Sequence, residues 1–158
     1  MRTNGLVHSW RAGAPELEGR RRDLIALSLF HGVNDGSLAI FTSALPVMRI
    51  SLNLSLVEIG TILSAGLIAT FALQFLFGYA SDRGMTKLSI MIGFVGIILG
   101  DLFIASSSSL PQLLGAYVFL RSAAAVYHPV GFAYFSRAYE DRRVEVMGLQ
   151  GAIGDGSI

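Results

Sequence analysis

Residues 59–80 read IGTILSAGLIATFALQFLFGYA, a run of 22 consecutive residues without a charged side chain. A helix needs about 20 mostly apolar residues to cross the hydrocarbon core of a bilayer. Similar stretches occupy residues 24–48, 88–106 and 111–135, and a shorter apolar segment begins at Val144. The sequence therefore predicts an all-α membrane protein, an antiparallel transmembrane helix bundle with four full spans and the start of a fifth.

The composition agrees with a lipid environment. Of the 158 residues, 53% are hydrophobic and 15% are charged, and the mean hydropathy is +0.58. A soluble domain usually carries about a quarter charged residues. The chain has no cysteine, which excludes a disulfide framework and a cysteine-ligated metal site. We expect the lipid bilayer as a partner and no nucleic acid.

Basic residues indicate the orientation, because they favour the cytoplasmic side of a membrane. Ten of the 12 lysines and arginines lie on one expected side: in residues 1–22, in residues 83–87 and in residues 137–143. Residues 1–22 also lack the apolar core of a signal peptide. The sequence thus predicts a cytoplasmic N-terminal tail at 1–22 and a partial transmembrane domain at 23–158 of a multi-pass cell-membrane protein.

The connection between the second and third spans carries a motif, GYASDRGMTK at residues 78–87. It resembles the loop signature G-x-x-x-D-R-x-G-R-K of the major facilitator superfamily. Met85 and Thr86 replace a glycine and a basic residue of that signature. Four residues match in register: Gly78, Asp82, Arg83 and Lys87. The resemblance implies a conformational role for this loop, in which Asp82 and Arg83 join a charge network that latches the cytoplasmic side between conformations.

Other segments resemble the fosmidomycin-resistance branch of the same superfamily. HGVND at 31–35 is similar to the first helix of that branch, YHPVG at 127–131 to its fourth, and MGLQGAIG at 147–154 to its fifth. Members have about twelve helices in two similar halves. The resemblance therefore implies the N-terminal part of a transporter that lacks its C-terminal half. It also implies proton-coupled movement of a small solute or drug, with efflux as the expected direction and no transport by this part alone.

A second interpretation is a self-contained four-helix membrane module for interaction or oligomerisation. A complete last span would favour it, but residues 144–158 number only 15 and rise about 22 Å as a helix. The hydrocarbon core is about 30 Å thick. An enzyme is not expected, because the sequence shows no nucleophile elbow, phosphate-binding loop or zinc-ligand spacing. It indicates no catalytic residue and no cofactor.

Ionisable residues within the predicted spans are candidates for the proton and substrate pathway, because charges in lipid are costly and usually face a cavity or a partner. His31 and Asp35 are four apart and share a helix face, with Asn34 beside them. Such a pair can hold and release a proton near neutral pH, and a purely structural polar pair is equally open. Arg121 and His128 share a face seven residues apart, and Arg121 could hold an anionic substrate or Asp35. Two histidines on separate helices are weak grounds for a metal site, so none is expected.

Small residues predict close packing of the helices. Glycines recur at helical spacing on two segments: Gly96 and Gly100 on the third span, and Gly148, Gly151 and Gly154 on the fifth segment. Pro129 predicts a kink in the fourth span, because proline removes a backbone hydrogen bond. The kink could be static or could bend during transport.

Overall fold

The computed structural model describes residues 14–156, with side chains from residue 21 onward, and these residues form a bundle of helices. No strand occurs within residues 14–156, so the expected all-α bundle is confirmed. A π-helical turn at Ser81–Met85 precedes the third helix, and a 3₁₀ turn at Glu140–Arg142 precedes the sixth. The six α-helices are α1 (Ala14–Ser51), α2 (Leu56–Ala80), α3 (Thr86–Ala105), α4 (Leu110–Ala124), α5 (Tyr127–Ala138) and α6 (Arg143–Gly156).

The helices carry apolar surfaces of membrane-spanning length. Arg21–Ser51 and the continuous helical stretch Leu56–Ala105 are long and apolar enough to cross a membrane, with mean hydropathies of 1.4 and 2.3. On α2, the large side chains Ile68, Phe71 and Phe75 point outward and are each at least 66% exposed. Soluble monomers rarely expose continuous apolar patches of this kind. This outer surface is suited to contact with lipid tails.

The start of α1 differs from the sequence expectation. The first apolar stretch begins at residue 24, but α1 already begins at Ala14. Asp23 therefore lies inside the helix, where its Oδ2 accepts a hydrogen bond from the Tyr134 hydroxyl of α5. Most of the predicted tail at 1–22 lies outside the described residues.

The start of α2 is set by a capping box. The Ser55 hydroxyl accepts a hydrogen bond from the Glu58 amide at 3.2 Å, and the Glu58 carboxylate accepts one from the Ser55 amide at 2.8 Å. These two bonds satisfy backbone donors that the first turn of a helix leaves free. The chain can therefore reverse direction between α1 and α2 within the four residues 52–55.

α4 lies at the centre of the bundle, packed closely against α3. A Cβ atom at Gly96 would lie 2.7 Å from the Ala123 Cβ, and one at Gly100 would lie 2.9 Å from the Leu120 Cα. Leu120 is fully buried at this contact. Glycine at both positions lets the two helix backbones approach within a distance that any side chain would prevent.

The predicted fourth span, 111–135, is broken into α4 and α5. The break falls at Ala125 and Val126, one turn before Pro129. Proline has no N–H to donate to the carbonyl four residues earlier, which here belongs to Ala125, and its ring crowds that carbonyl. The Val126 amide bonds instead to the Ala123 carbonyl at 3.3 Å, three residues back. The kink predicted from Pro129 is confirmed, and it places Tyr127 and His128 at the beginning of a new helix.

Candidate functional site

The site begins with three polar residues on one face of α1. His31 Nε2 lies 3.0 Å from Asp35 Oδ2, and Asn34 Nδ2 donates to Asp35 Oδ1 at 2.7 Å. The His31 side chain is 3% exposed and that of Asp35 is 18% exposed. One helical turn separates His31 from Asp35, so their contact follows directly from the spacing in the sequence.

α5 adds a second imidazole to this carboxylate. His128 Nε2 lies 3.8 Å from Asp35 Oδ1, and the His128 side chain is 42% exposed. The two imidazole rings meet edge to face, with centroids 5.5 Å apart. One carboxylate is thus held between two histidines from different helices. We call His31, Asp35 and His128 the His–Asp–His cluster.

A buried hydrogen-bond chain supports the His31 ring. The Tyr127 ring stacks on the His31 imidazole with centroids 4.2 Å apart. The Tyr127 hydroxyl donates to Gln150 Oε1 at 2.8 Å, and Gln150 Nε2 donates to the Ser28 hydroxyl at 2.7 Å. Ser28, Tyr127 and Gln150 were not among the site residues predicted from the sequence. The signal available for Gln150 was an amide side chain between the apolar and glycine residues of 146–154.

Arg121 reaches the interior from α4 without a direct partner for its charge. Its Nε atom is buried and makes no hydrogen bond, and no carboxylate among residues 21–156 lies within 4.0 Å of its guanidinium. Its stem passes α2 at Gly66, where a Cβ atom would lie 2.8 Å from the Arg121 Cγ. The ion pairs of Asp35 go to the two histidines, so Arg121 does not bind Asp35 directly. Its electrostatic field nevertheless acts on His128.

The cluster offers ligand atoms that suit a proton and, by their spacing, a metal ion. Its three ligand atoms lie within 4.8 Å of one another, which is close enough for a metal ion in principle. Two histidines and one carboxylate are a ligand set that divalent metal ions also use in proteins. A single proton shared among a carboxylate and two imidazoles adds one charge only.

The loop motif lies at one end of the bundle, where it makes polar contacts. Asp82 Oδ1 lies 3.6 Å from Arg137 Nη1 at the end of α5, and the Arg83 guanidinium lies 4.6 Å from the centroid of the Tyr79 ring. Gly84 has φ = +85°, a backbone conformation that side chains disfavour. The motif therefore links the α2–α3 turn to α5 in this conformation.

The other two motif residues lie nearby. Lys87 lines a cleft of about 810 Å³ together with Asp23, Tyr134 and Arg137. Gly78 faces α5, where an added Cβ atom would lie 3.7 Å from the Pro129 Cβ. The part of α1 around Asp23, the turn after α2 and the end of α5 thus meet at this end of the bundle. We call it the basic end.

α6 touches the cluster through one of its glycines. A Cβ atom at Gly154 would lie 2.7 Å from His31 Nε2 and 2.8 Å from Asp35 Oδ2. At Gly148 and Gly151 an added Cβ atom would meet no described atom within 4 Å. Of the three glycines singled out on α6, only Gly154 therefore makes a close approach within the described part of the chain.

Comparison with known proteins agrees with this architecture. Residues 27–156 match the family described as Major Facilitator Superfamily. Over 108 residues the chain is 24% identical to the Uncharacterized MFS-type transporter YfnC of Bacillus subtilis (strain 168), which covers 68% of the chain and 26% of that relative. The chain thus spans about a quarter of the length of this curated relative. No solved structure matches the chain. Because the family match covers most of its length, the chain belongs to the major facilitator superfamily.

Proposed function

We propose that the chain contributes part of the pathway of a proton-coupled secondary transporter, and that the His–Asp–His cluster carries the proton. The main support for this proposal is that Asp35 lies between His31 and His128 within an apolar helix bundle. A carboxylate at such a position is costly unless it is paired or protonated. Family membership supports transmembrane transport of a small molecule rather than catalysis.

The cluster can couple proton binding to the contact between α1 and α5. With Asp35 ionised, its carboxylate attracts His128 across the helix interface, 3.8 Å away. When Asp35 takes a proton, that attraction weakens and α5 is freer to move relative to α1. A two-state helix contact whose stability depends on charge is one way to link protonation with alternating access.

The position of Arg121 supports the proposal that the substrate carries an anionic group. A guanidinium stays charged at any physiological pH, so within the bundle it needs a counter-charge. Residues 21–156 place no carboxylate within 4.0 Å of it. An anionic substrate would supply that charge beside the cluster. Efflux as the direction rests on the resemblance of residues 31–35 and 127–131 to the fosmidomycin-resistance branch.

The proposed arrangement in the membrane is multi-pass with a cytoplasmic N-terminus. It consists of a tail at 1–22 and, at 23–158, four spans and the start of a fifth, and the gathering of Arg83, Lys87 and Arg137 at the basic end supports that orientation. Because the chain matches only 26% of its relative, we propose that helices of a C-terminal half complete the pathway. The 158-residue chain would then not transport by itself.

The test uses inside-out membrane vesicles from cells that express the full-length protein, meaning this chain together with the proposed C-terminal half. Fosmidomycin is the probe. An acid-inside pH gradient is expected to drive accumulation of fosmidomycin in the vesicles, and a protonophore should abolish it. Vesicles that contain only the 158-residue chain should accumulate no more than vesicles without the protein. The proposal would be contradicted if vesicles with the full-length protein accumulated no fosmidomycin, or if their accumulation did not respond to the protonophore. Transport by the short chain would contradict the need for a second half.

A further inference from the structure

α6 lies against the His31–Asp35 pair, which is the more buried part of the cluster. We propose that α6 is a cover over the His31–Asp35 pair, with Gly154 as the position that lets it close and Gln150 as its anchor. The pair would then exchange protons from the side of His128, the more exposed of the two imidazoles. The consequence for proton transfer rests on the proposed function, whereas the closure by α6 does not.

Gly154 is the point of closest approach. An added Cβ atom would lie 2.7 Å from both Cε1 and Nε2 of His31 and 2.8 Å from Asp35 Oδ2. Real Cβ atoms essentially never come within 3.0 Å of such neighbours, so any side chain at this position must displace the imidazole, the carboxylate or α6 itself. Both atoms of the His31–Asp35 contact are involved. The missing side chain of Gly154 thus leaves room for the side chains of the cluster.

Gln150 fixes α6 in this position. It lies one helical turn before Gly154, on the same face, and it is fully buried. Its carbonyl oxygen accepts from Tyr127 on α5, and its amide nitrogen donates to Ser28 on α1. A buried amide needs such partners, and losing them leaves polar groups unsatisfied. Movement of α6 away from the pair would therefore break bonds to both helices that carry the cluster.

The exposure of the three cluster residues agrees with a covered pair and an open histidine. The His31 side chain is 3% exposed, and that of Asp35 is 18% exposed. The His128 side chain is 42% exposed. The second ring nitrogen of His31, Nδ1, is buried without a hydrogen-bond partner, so it has no described route for a proton. Access to the carboxylate is therefore on the His128 side.

The charged and titratable groups around the cluster come from three helices. α1 supplies His31 and Asp35, and α5 supplies Tyr127 and His128, whose rings pack together. The field of Arg121 from α4 also acts on His128. α6 contributes its backbone at Gly154, and the Asp155 that follows is exposed. A change at Gly154 thus acts on the cluster by moving it, since it removes no charge.

The test is diethyl pyrocarbonate labelling of histidines in the full-length protein in native membranes, read by mass spectrometry. In the unmutated protein, His128 should be labelled at least severalfold faster than His31. In Gly154→Ala and in Gln150→Leu, labelling of His31 should rise severalfold. Gly151→Ala is the matched control on the same helix, because its Cβ atom meets no described atom within 4 Å. It should leave the ratio unchanged.

A pH profile separates positioning from a general loss of structure. The reagent attacks neutral imidazole, so the rate of His128 labelling against pH gives a midpoint that depends on nearby Asp35. Gly154→Ala should shift this midpoint, whereas Gly151→Ala should not. Equal rates for His31 and His128 in the unmutated protein would overturn the cover, even if the variants fold poorly. Identical midpoints in Gly154→Ala and Gly151→Ala would overturn the positioning role.

This outcome is separable from that of the proposed function. If labelling follows the expected pattern while transport does not depend on protons, the cover stands and the proton role fails. If transport is proton-driven while His31 is labelled as fast as His128, the proton role stands and the cover fails.

Discussion

At the residue scale, the partners of Asp35 suit a carboxylate that changes its charge. Asn34 donates one neutral hydrogen bond, and the two ion-pair partners are the imidazoles of His31 and His128. An arginine in direct contact would hold the carboxylate ionised, because a guanidinium does not release its proton. Imidazoles can lose their charge near neutral pH. The identity of the partners therefore favours exchange of a proton over a permanent salt bridge.

The close approach of α3 and α4 provides a residue-scale prediction. Gly100→Ala should lower the free energy of unfolding by about 1–3 kcal/mol, because overpacking of a tight contact has this typical cost. The added methyl group would lie 2.9 Å from the Leu120 Cα, a backbone atom that cannot easily move. Thermal unfolding of the protein in detergent measures the effect.

Gly115→Ala on α4 is the matched control, because nothing described lies within 4 Å of its Cβ position. It should be neutral or stabilising by up to about 1 kcal/mol, since alanine favours helices. Equal unfolding temperatures for Gly100→Ala and Gly115→Ala would show that the α3–α4 contact is looser than described.

At the element scale, the break between α4 and α5 builds the site. Because helical hydrogen bonding is interrupted at Ala125 and Val126, Tyr127 and His128 lie in the first turn of α5 and face α1. A straight helix would continue the direction of α4, whose face packs on α2 and α3 in the core. Pro129 thus has a structural role in the cluster without contacting Asp35.

The capping box at the start of α2 provides an element-scale prediction. Ser55→Ala should lower the free energy of unfolding by about 0.5–2 kcal/mol, the usual cost of removing an N-cap side chain. It removes the acceptor for the Glu58 amide and the hydroxyl that donates to the Glu58 carboxylate. Ser51→Ala is a suitable control, because its hydroxyl bonds only to the Met48 carbonyl of its own helix. A Ser55→Ala variant as stable as Ser51→Ala would refute the capping role.

Contacts within one helix were predictable from the sequence, and so was close packing at Gly96 and Gly100, but the partners of contacts between helices were not. The spacing of His31 and Asp35 predicts their contact, because one helical turn separates them. The bond between Ser28 and Gln150 joins residues 122 positions apart, and no periodicity indicates which helices meet there. Arg121 shares a face with His128 in the sequence, yet the break in the helix directs His128 alone to Asp35. Crossing angles and breaks decide such pairs, and they depend on the packing of the whole bundle.

At the scale of the whole molecule, the basic end joins segments that are far apart in the chain. Asp82 after α2 contacts Arg137 at the end of α5, and Asp23 of α1 contacts Tyr134. Both contacts are exposed, and the exposed ion pair between Asp82 and Arg137 is expected to be weak. If the helices move relative to one another, as the proposed transport requires, such weak contacts can form and break at small cost. The contacts at the basic end would then suit the latch that the loop motif predicts.

The proposed orientation predicts which side of the membrane each end faces. The chain lacks cysteine, so single cysteines can be introduced without removing native ones. Met85 lies at the exposed basic end, and Ser108 lies in the exposed turn between α3 and α4, so the two variants are Met85→Cys and Ser108→Cys. A membrane-impermeant maleimide added outside intact cells should label Ser108→Cys and leave Met85→Cys unlabelled. The reverse pattern would place the N-terminus outside the cell.

The central claim is that Asp35 couples the proton to transport, and Asp35→Asn tests it most directly. Fosmidomycin exchange and proton-driven fosmidomycin accumulation are measured separately in vesicles that contain the full-length protein. Asp101→Asn is the control, because it removes a carboxylate of α3 that accepts a hydrogen bond from the Ser37 hydroxyl outside the cluster. We predict that Asp35→Asn keeps exchange and loses accumulation, while Asp101→Asn keeps both. Normal accumulation by Asp35→Asn would contradict the account and leave Asp35 as a structural polar residue.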